Sequence, residues 1–148
     1  MLETLGRELV ASLGIGEVET QFAVCIAGGR VVWCDIRVGC HLFECEGRIK
    51  LVPVDRGGVA SEPPEAVVWR QQDRRTAICA EGFGMSRVTW ADCFGAARET
   101  ARDRLLKEYA VTEARFGRTP APHLLEFARA NPRRTASRLW IPEVGTAA

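Results

Sequence analysis

The chain has 148 residues, 47% apolar and 26% charged, which is enough for one domain with a real core and excludes a disordered or fibrous chain. A net charge of +1 excludes a global pull toward nucleic acid or anionic membrane, although residues 1–66 hold 6 basic and 10 acidic side chains and residues 67–148 hold 14 and 9. No stretch has the length of a membrane span and no basic n-region opens the chain, so a cytoplasmic protein with six reduced cysteines is expected.

Leu5, Leu9 and Leu13 predict a short amphipathic helix over residues 3–13, which "GIGE" stops. In "QFAVCIAGGRVVWCDIRVG", Gly28-Gly29 predicts a two-residue hairpin turn, with Cys25 opposite Val32 and Val24 opposite Trp33. A second turn at Val38-Gly39 leads into "CHLFEC" and pairs Cys34 with Phe43 and Ile36 with His41. Side chains alternate along a strand. One face then carries Ala23, Cys25, Val32, Cys34, Ile36, His41, Phe43 and Cys45, and the other Phe22, Val24, Ile26, Val31, Trp33 and Leu42.

"RIKLVPV" reads as an edge strand because of Pro53, and residues 55–66 as a loop. "AVVWRQQDRRTAICAEG" reads as a second hairpin turning at Asp73-Arg74. From 90 to 114 a long amphipathic helix is expected. Its apolar stripe is Trp90, Phe94, Ala97, Ala101, Leu105 and Tyr109, and Thr89 with Asp92 resembles a capping box. "PHLLEFARAN" (122–131) is a shorter helix closed by Pro132, and Leu139-Trp140-Ile141 is an anchor in the tail. The fold class expected is α+β. It is an antiparallel meander of five or six strands, with the short first helix and the long helix on one face. Residues 1–117 form the core, and 118–148 a C-terminal helix and Arg-rich tail docked on it.

The chemistry-bearing residues are sparse. His41 and Cys45 share a face but stand roughly 13 Å apart along a strand, too far to share a zinc ion at about 2.0–2.3 Å. No metal site and no cofactor is expected. A Cys34–His41 pair would lie diagonally on adjacent strands, but Asp35 points to the opposite face, so no triad forms. His123 follows a proline at a helix start and reads as a surface residue. Glu44 and Glu46 read as a solvated strand edge, and "GIG", "GGR" and "GFG" lack the Lys and spacing of a phosphate loop. Arginine carries more weight. Arg115, Arg118, Arg129, Arg133, Arg134 and Arg138 crowd the C-terminal third, and Arg70, Arg74 and Arg75 lie on the expected hairpin. Such clusters contact phosphates or the acidic patches of a protein partner.

The order of helix "LETLGRELVASLG", three-strand meander, "VVWRQQDRRTAICAE" strand pair and long helix, Ala66 to Tyr109, resembles type III secretion chaperones. The resemblance covers roughly two thirds of the chain. It implies a small, non-enzymatic, usually dimeric protein that binds an extended stretch of a secreted effector on apolar grooves, here Phe22, Val24, Ile26 and Trp33. Where that family has a dimer-forming helix this chain has "DRGGVASEPPEA", which leaves a homodimer open.

The expected function is a non-catalytic protein that binds another protein, as chaperone, adaptor or inhibitor, including one from a mobile element. Its contacts would be Phe22, Val24, Ile26, Trp33, Arg70, Arg74 and Arg75. Nucleic-acid binding through the C-terminal arginines is the first alternative. A small-molecule or enzymatic pocket lined by Cys34, His41 and Phe43 is the second. If all helices pack on the cysteine-lined face, the Phe22–Trp33 face needs a cover: the 120–141 segment, a second subunit or a partner.

Overall fold

A computed structural model describes residues 1–47 and 63–133. In chain order these form α1 (Leu2–Ser12), β1 (Glu19–Ile26), β2 (Arg30–Val38), β3 (His41–Glu46), α2 (Pro64–Cys79), β4 (Gly84–Thr89), a 3-10 turn at Ala91–Cys93, α3 (Gly95–Phe116) and α4 (Pro122–Ala130). The class is α+β. Among the described residues the sheet has four strands in the order β1-β2-β3-β4, with β1–β2–β3 antiparallel and β4 parallel to β3. This corrects the all-antiparallel meander of five or six strands. The expected strand over 49–54 and the Leu139–Ile141 anchor lie outside the described residues.

Helices cover both faces of the sheet. On one face Leu9, Val10 and Leu13 from the α1 side and Ala101, Leu105 and Tyr109 of α3 pack on Ile36, Val38, Phe43, Cys45 and Val88. On the other, Ile78 of α2 and the half-buried Leu124, Leu125 and Ala128 of α4 pack on Phe22, Val24, Ile26, Val32, Cys34, Leu42 and Met85. The Phe22–Val24–Ile26 face is therefore packed against the chain's own α2 and α4.

Two local features move side chains from the expected faces. The first hairpin loop has three residues, because Ile26 pairs with Arg30 and Val24 with Val32. That one-residue slip puts Val32 and Cys34 on the Phe22 face. Further along, Gln21 takes a φ of 53°, and it and Asp35 drop out of the otherwise continuous pairing. The Asp35 carboxylate instead accepts the Cys45 N–H at 2.8 Å. Beyond this kink the chain turns over, so Ile36 and Val38 face α1 and α3. The second turn is Gly39-Cys40, with Val38 opposite His41 and Ile36 opposite Phe43.

Residues 67–79 are helix and not hairpin. Pro64 sits in the first turn of α2, where its missing N–H costs nothing. The long helix begins at Gly95 and not at 90. Trp90 and Phe94 meet at a tilt with ring centroids 5.2 Å apart, each 48% exposed, outside the expected stripe, and Ala97 is also exposed. The Asp92 carboxylate does accept the Thr89 N–H at 2.9 Å, as the capping-box spacing requires.

Candidate functional site

Among the described residues β4 is an edge strand, and helices from both layers reach its rim. Alternate residues of a parallel edge strand turn their backbone polar groups outward. Two such carbonyls are taken by arginine: Arg75 of α2 donates to Met85 O at 3.0 Å, and Arg104 of α3 to Arg87 O at 3.1 Å. Covering an open edge with charge blunts unwanted strand pairing. Beside this rim runs a groove of about 570 Å³ whose lining includes Arg75, Arg87, Arg104, Arg115 and a single acidic side chain, Glu108.

Arg104, Glu108, Thr112 and Arg115 reach the groove from one stripe of α3, at spacings that keep them on one side of the helix. Arg104 pairs with Asp92 and Glu108 at 3.1 Å each, and Arg87 pairs with Glu46 at 2.9 Å. Among the described residues neither Arg75 nor Arg115 has a carboxylate partner; the Arg115 guanidinium lies 4.9 Å over the Phe116 ring. Val111, 69% exposed, adds apolar surface to the same wall.

The floor is a buried polar chain. His41 is 1% exposed. Its Nδ1 lies 2.6 Å from Thr112 Oγ1 and its Nε2 2.7 Å from Ser86 Oγ, and Ser86 donates to Glu108. The Glu108 carboxylate can only accept, so the Ser86 proton is committed to it. His41 must then donate from Nε2, and Thr112 donates to Nδ1. Burial holds the imidazole down at about 4; Glu108 opposes that shift and Arg75 adds to it. With its proton on Nε2, His41 cannot accept the one on Ser86, so the pair is not an activated nucleophile.

The buried thiols Cys34 and Cys45 are equally unreactive. Burial pushes Cys34 far up, reinforced by Glu44, and raises Cys45 to about 12. Cys34 lies on the α2–α4 face, away from His41 and Phe43, and Phe43 and Cys34 are both fully buried. The expected pocket shared by Cys34, His41 and Phe43 is thereby excluded: the kink at Gln21 and Asp35 separates them across the sheet. Among the described residues no group of three His, Cys, Asp or Glu is placed to hold a metal ion.

The remaining arginines and Trp33 are spread out. Arg74 donates to Trp33 O at 2.9 Å and stands 3.2 Å from Glu44. Arg70 lies on α2. Arg118 pairs with Glu113 at 2.9 Å, while Arg129 and Arg133 border a depression beside Glu19 and Gln21 of β1. Arg115 and the Arg129–Arg133 pair thus lie at opposite edges of the sheet and form no single surface. Arg134 and Arg138 lie outside the described residues. Trp33 is half-buried and donates to Asn131 O at 3.0 Å, so its indole holds the end of α4.

Arg87, Arg104, Glu108, Ser86 and Thr112 are absent from the sequence reading. The signal for the α3 members was the polar stripe flanking the apolar one. Ser86 and Arg87 had none, since "GMSRVT" carries one glycine, one serine and no alternation. No family model, curated protein or solved structure matches this chain.

Proposed function

We propose that this is a non-catalytic binding protein of the cytosol that takes an acidic segment of another protein into the groove between α2, β4 and α3. One observation carries the reading: four guanidinium groups and one carboxylate line the same groove. Such a surface attracts carboxylates, steers their approach and pairs with them bidentately. Glu108 in the middle and the exposed Val111 beside it favour a mixed acidic and apolar peptide over a continuous phosphate backbone. The committed proton chain of the floor and the buried thiols support a surface that binds without chemistry. Six unpaired cysteines suit a reducing compartment. No helix among the described residues is long and apolar enough to cross a membrane. A chaperone, an adaptor and an inhibitor would all use a groove of this kind.

The test is a fluorescence-anisotropy titration of the full chain with a labelled peptide of mixed Glu and Leu, and with a labelled oligonucleotide. The peptide is expected to bind, about tenfold more weakly to Arg115→Glu and to Arg87→Glu, with affinity falling as salt rises. Equal binding by the variants, or displacement of the peptide by the oligonucleotide, would overturn the reading.

A further inference from the structure

We propose that the space between α4 and β1 is a binding site for a small bicyclic aromatic molecule bearing an N–H donor. This site lies on the β1 side of the sheet and shares the buried Phe83, but none of the arginines, with the arginine groove. A cavity of about 290 Å³ opens there, walled by Phe22, Val24, Ile26, Phe83, Leu124 and Phe127. An apolar cavity of roughly 150 Å³ holds one benzene ring, so this one has room for two fused rings. Phe22 and Phe83 already meet edge to face at 5.8 Å, the geometry an inserted aromatic would extend.

The helix over the cavity is incompletely seated. No residue of α4 is fully buried, and its Leu124, Leu125, Phe127 and Ala128 are only half covered. A ligand filling the gap would cover the half-exposed Leu124 and Phe127 against sheet side chains and Phe83 that are already buried, and that apolar contact is the driving force for its binding. The polar lining fixes the class. The ionisable side chains on the wall are Glu81 and the exposed His123, and among the described residues no Arg or Lys joins them there. A donor is therefore accepted at that end and an anion is repelled.

The experiment is isothermal titration of the full chain with indole, with benzothiophene, which keeps the shape without the N–H, and with indole-3-carboxylate. Saturable indole binding is expected, several-fold weaker for benzothiophene and at least tenfold weaker for the carboxylate. Leu124→Trp, which fills the cavity from a half-buried position, is expected to cost indole at least tenfold while thermal stability holds or rises. Absence of saturable binding by all three molecules would overturn the site. Undiminished indole binding by Leu124→Trp would overturn its location, and equal binding of benzothiophene would overturn the ligand class.

Discussion

Ser86 Oγ lies 2.7 Å from His41 Nε2 and donates its own hydrogen bond to Glu108. Burial keeps the imidazole neutral in the fold, and stability should depend on that. The folded pKa of His41 is about 4 against 6.5 for the ordinary group. Between those values the unfolded chain binds a proton that the folded chain does not. The His41 contribution is complete above 6.5 and is lost as pH falls toward 4, by on the order of 3 kcal/mol. Glu44 works the other way. Burial, opposed by Arg74, raises it from 4.5 to about 6, so its contribution is present below 4.5 and lost as pH rises through 6. Urea titrations from pH 4 to 7 should therefore show only a shallow acid loss in the native chain. Glu44→Gln should steepen it and His41→Gln should reverse it. Unchanged slopes in both variants would show that neither group titrates in this window.

Gly84 lets α3 approach the sheet at the buried histidine. A Cβ at that position would collide with Thr112 Oγ1 and sit 2.9 Å from His41 Nδ1. Gly84→Ala should cost about 1–3 kcal/mol by overpacking. Thr112→Ala should cost about 1–3 kcal/mol by leaving Nδ1 unsatisfied. The two share one space, so the double variant should lose clearly less than the sum of the singles. Chemical denaturation of the four proteins measures this; strict additivity would mean that Gly84 and Thr112 do not crowd each other.

Helical periodicity was legible wherever a helix buries a stripe. Leu9, Leu105 and Tyr109 marked α1 and α3, and proline brackets marked α4. α2 failed that reading because most of it is exposed: of its apolar side chains only Ile78 is fully buried, while Val68 and Trp69 are 54% and 70% exposed. No apolar stripe was there to find. β4 failed because Gly84 and Ser86 serve His41 in place of an alternating apolar pattern. The sheet faces turned on two local facts, a three-residue loop where Gly28-Gly29 suggested two, and a left-handed Gln21 that no propensity announces. The candidate groove was the least legible part, since a parallel β4 joins arginines from three separate elements.

The buried thiols give a chemical readout of the same faces. Cys34 and Cys45 are almost fully buried, with burial the largest cause of their raised pKa values. In native protein at pH 7.5, iodoacetamide should label the half-buried Cys25 first and leave Cys34 and Cys45 unmodified until denaturant is added. Mass spectrometry of digests reads each site. Native labelling of Cys34 at the Cys25 rate would mean that the α2–α4 layer does not cover its face.

α4 depends on a few identifiable ties. Trp33 Nε1–H donates to Asn131 O at 3.0 Å, the Asn131 amide in turn donates to Phe127 O at 2.9 Å, and Arg133 donates to Gln21 at 2.6 Å. With no fully buried residue of its own, the helix should open at a free energy well below that of global unfolding. Trp33→Phe keeps the ring and removes the donor, at a cost of about 1 kcal/mol. That cost falls on the local opening, so amide exchange across Pro122–Ala130 should quicken about fivefold, while α3 exchanges as before. Exchange of α4 at the rate of α3 in the native chain would mean that the helix is an integral part of the cooperative core, and that Trp33 contributes to global stability and not to a hinge.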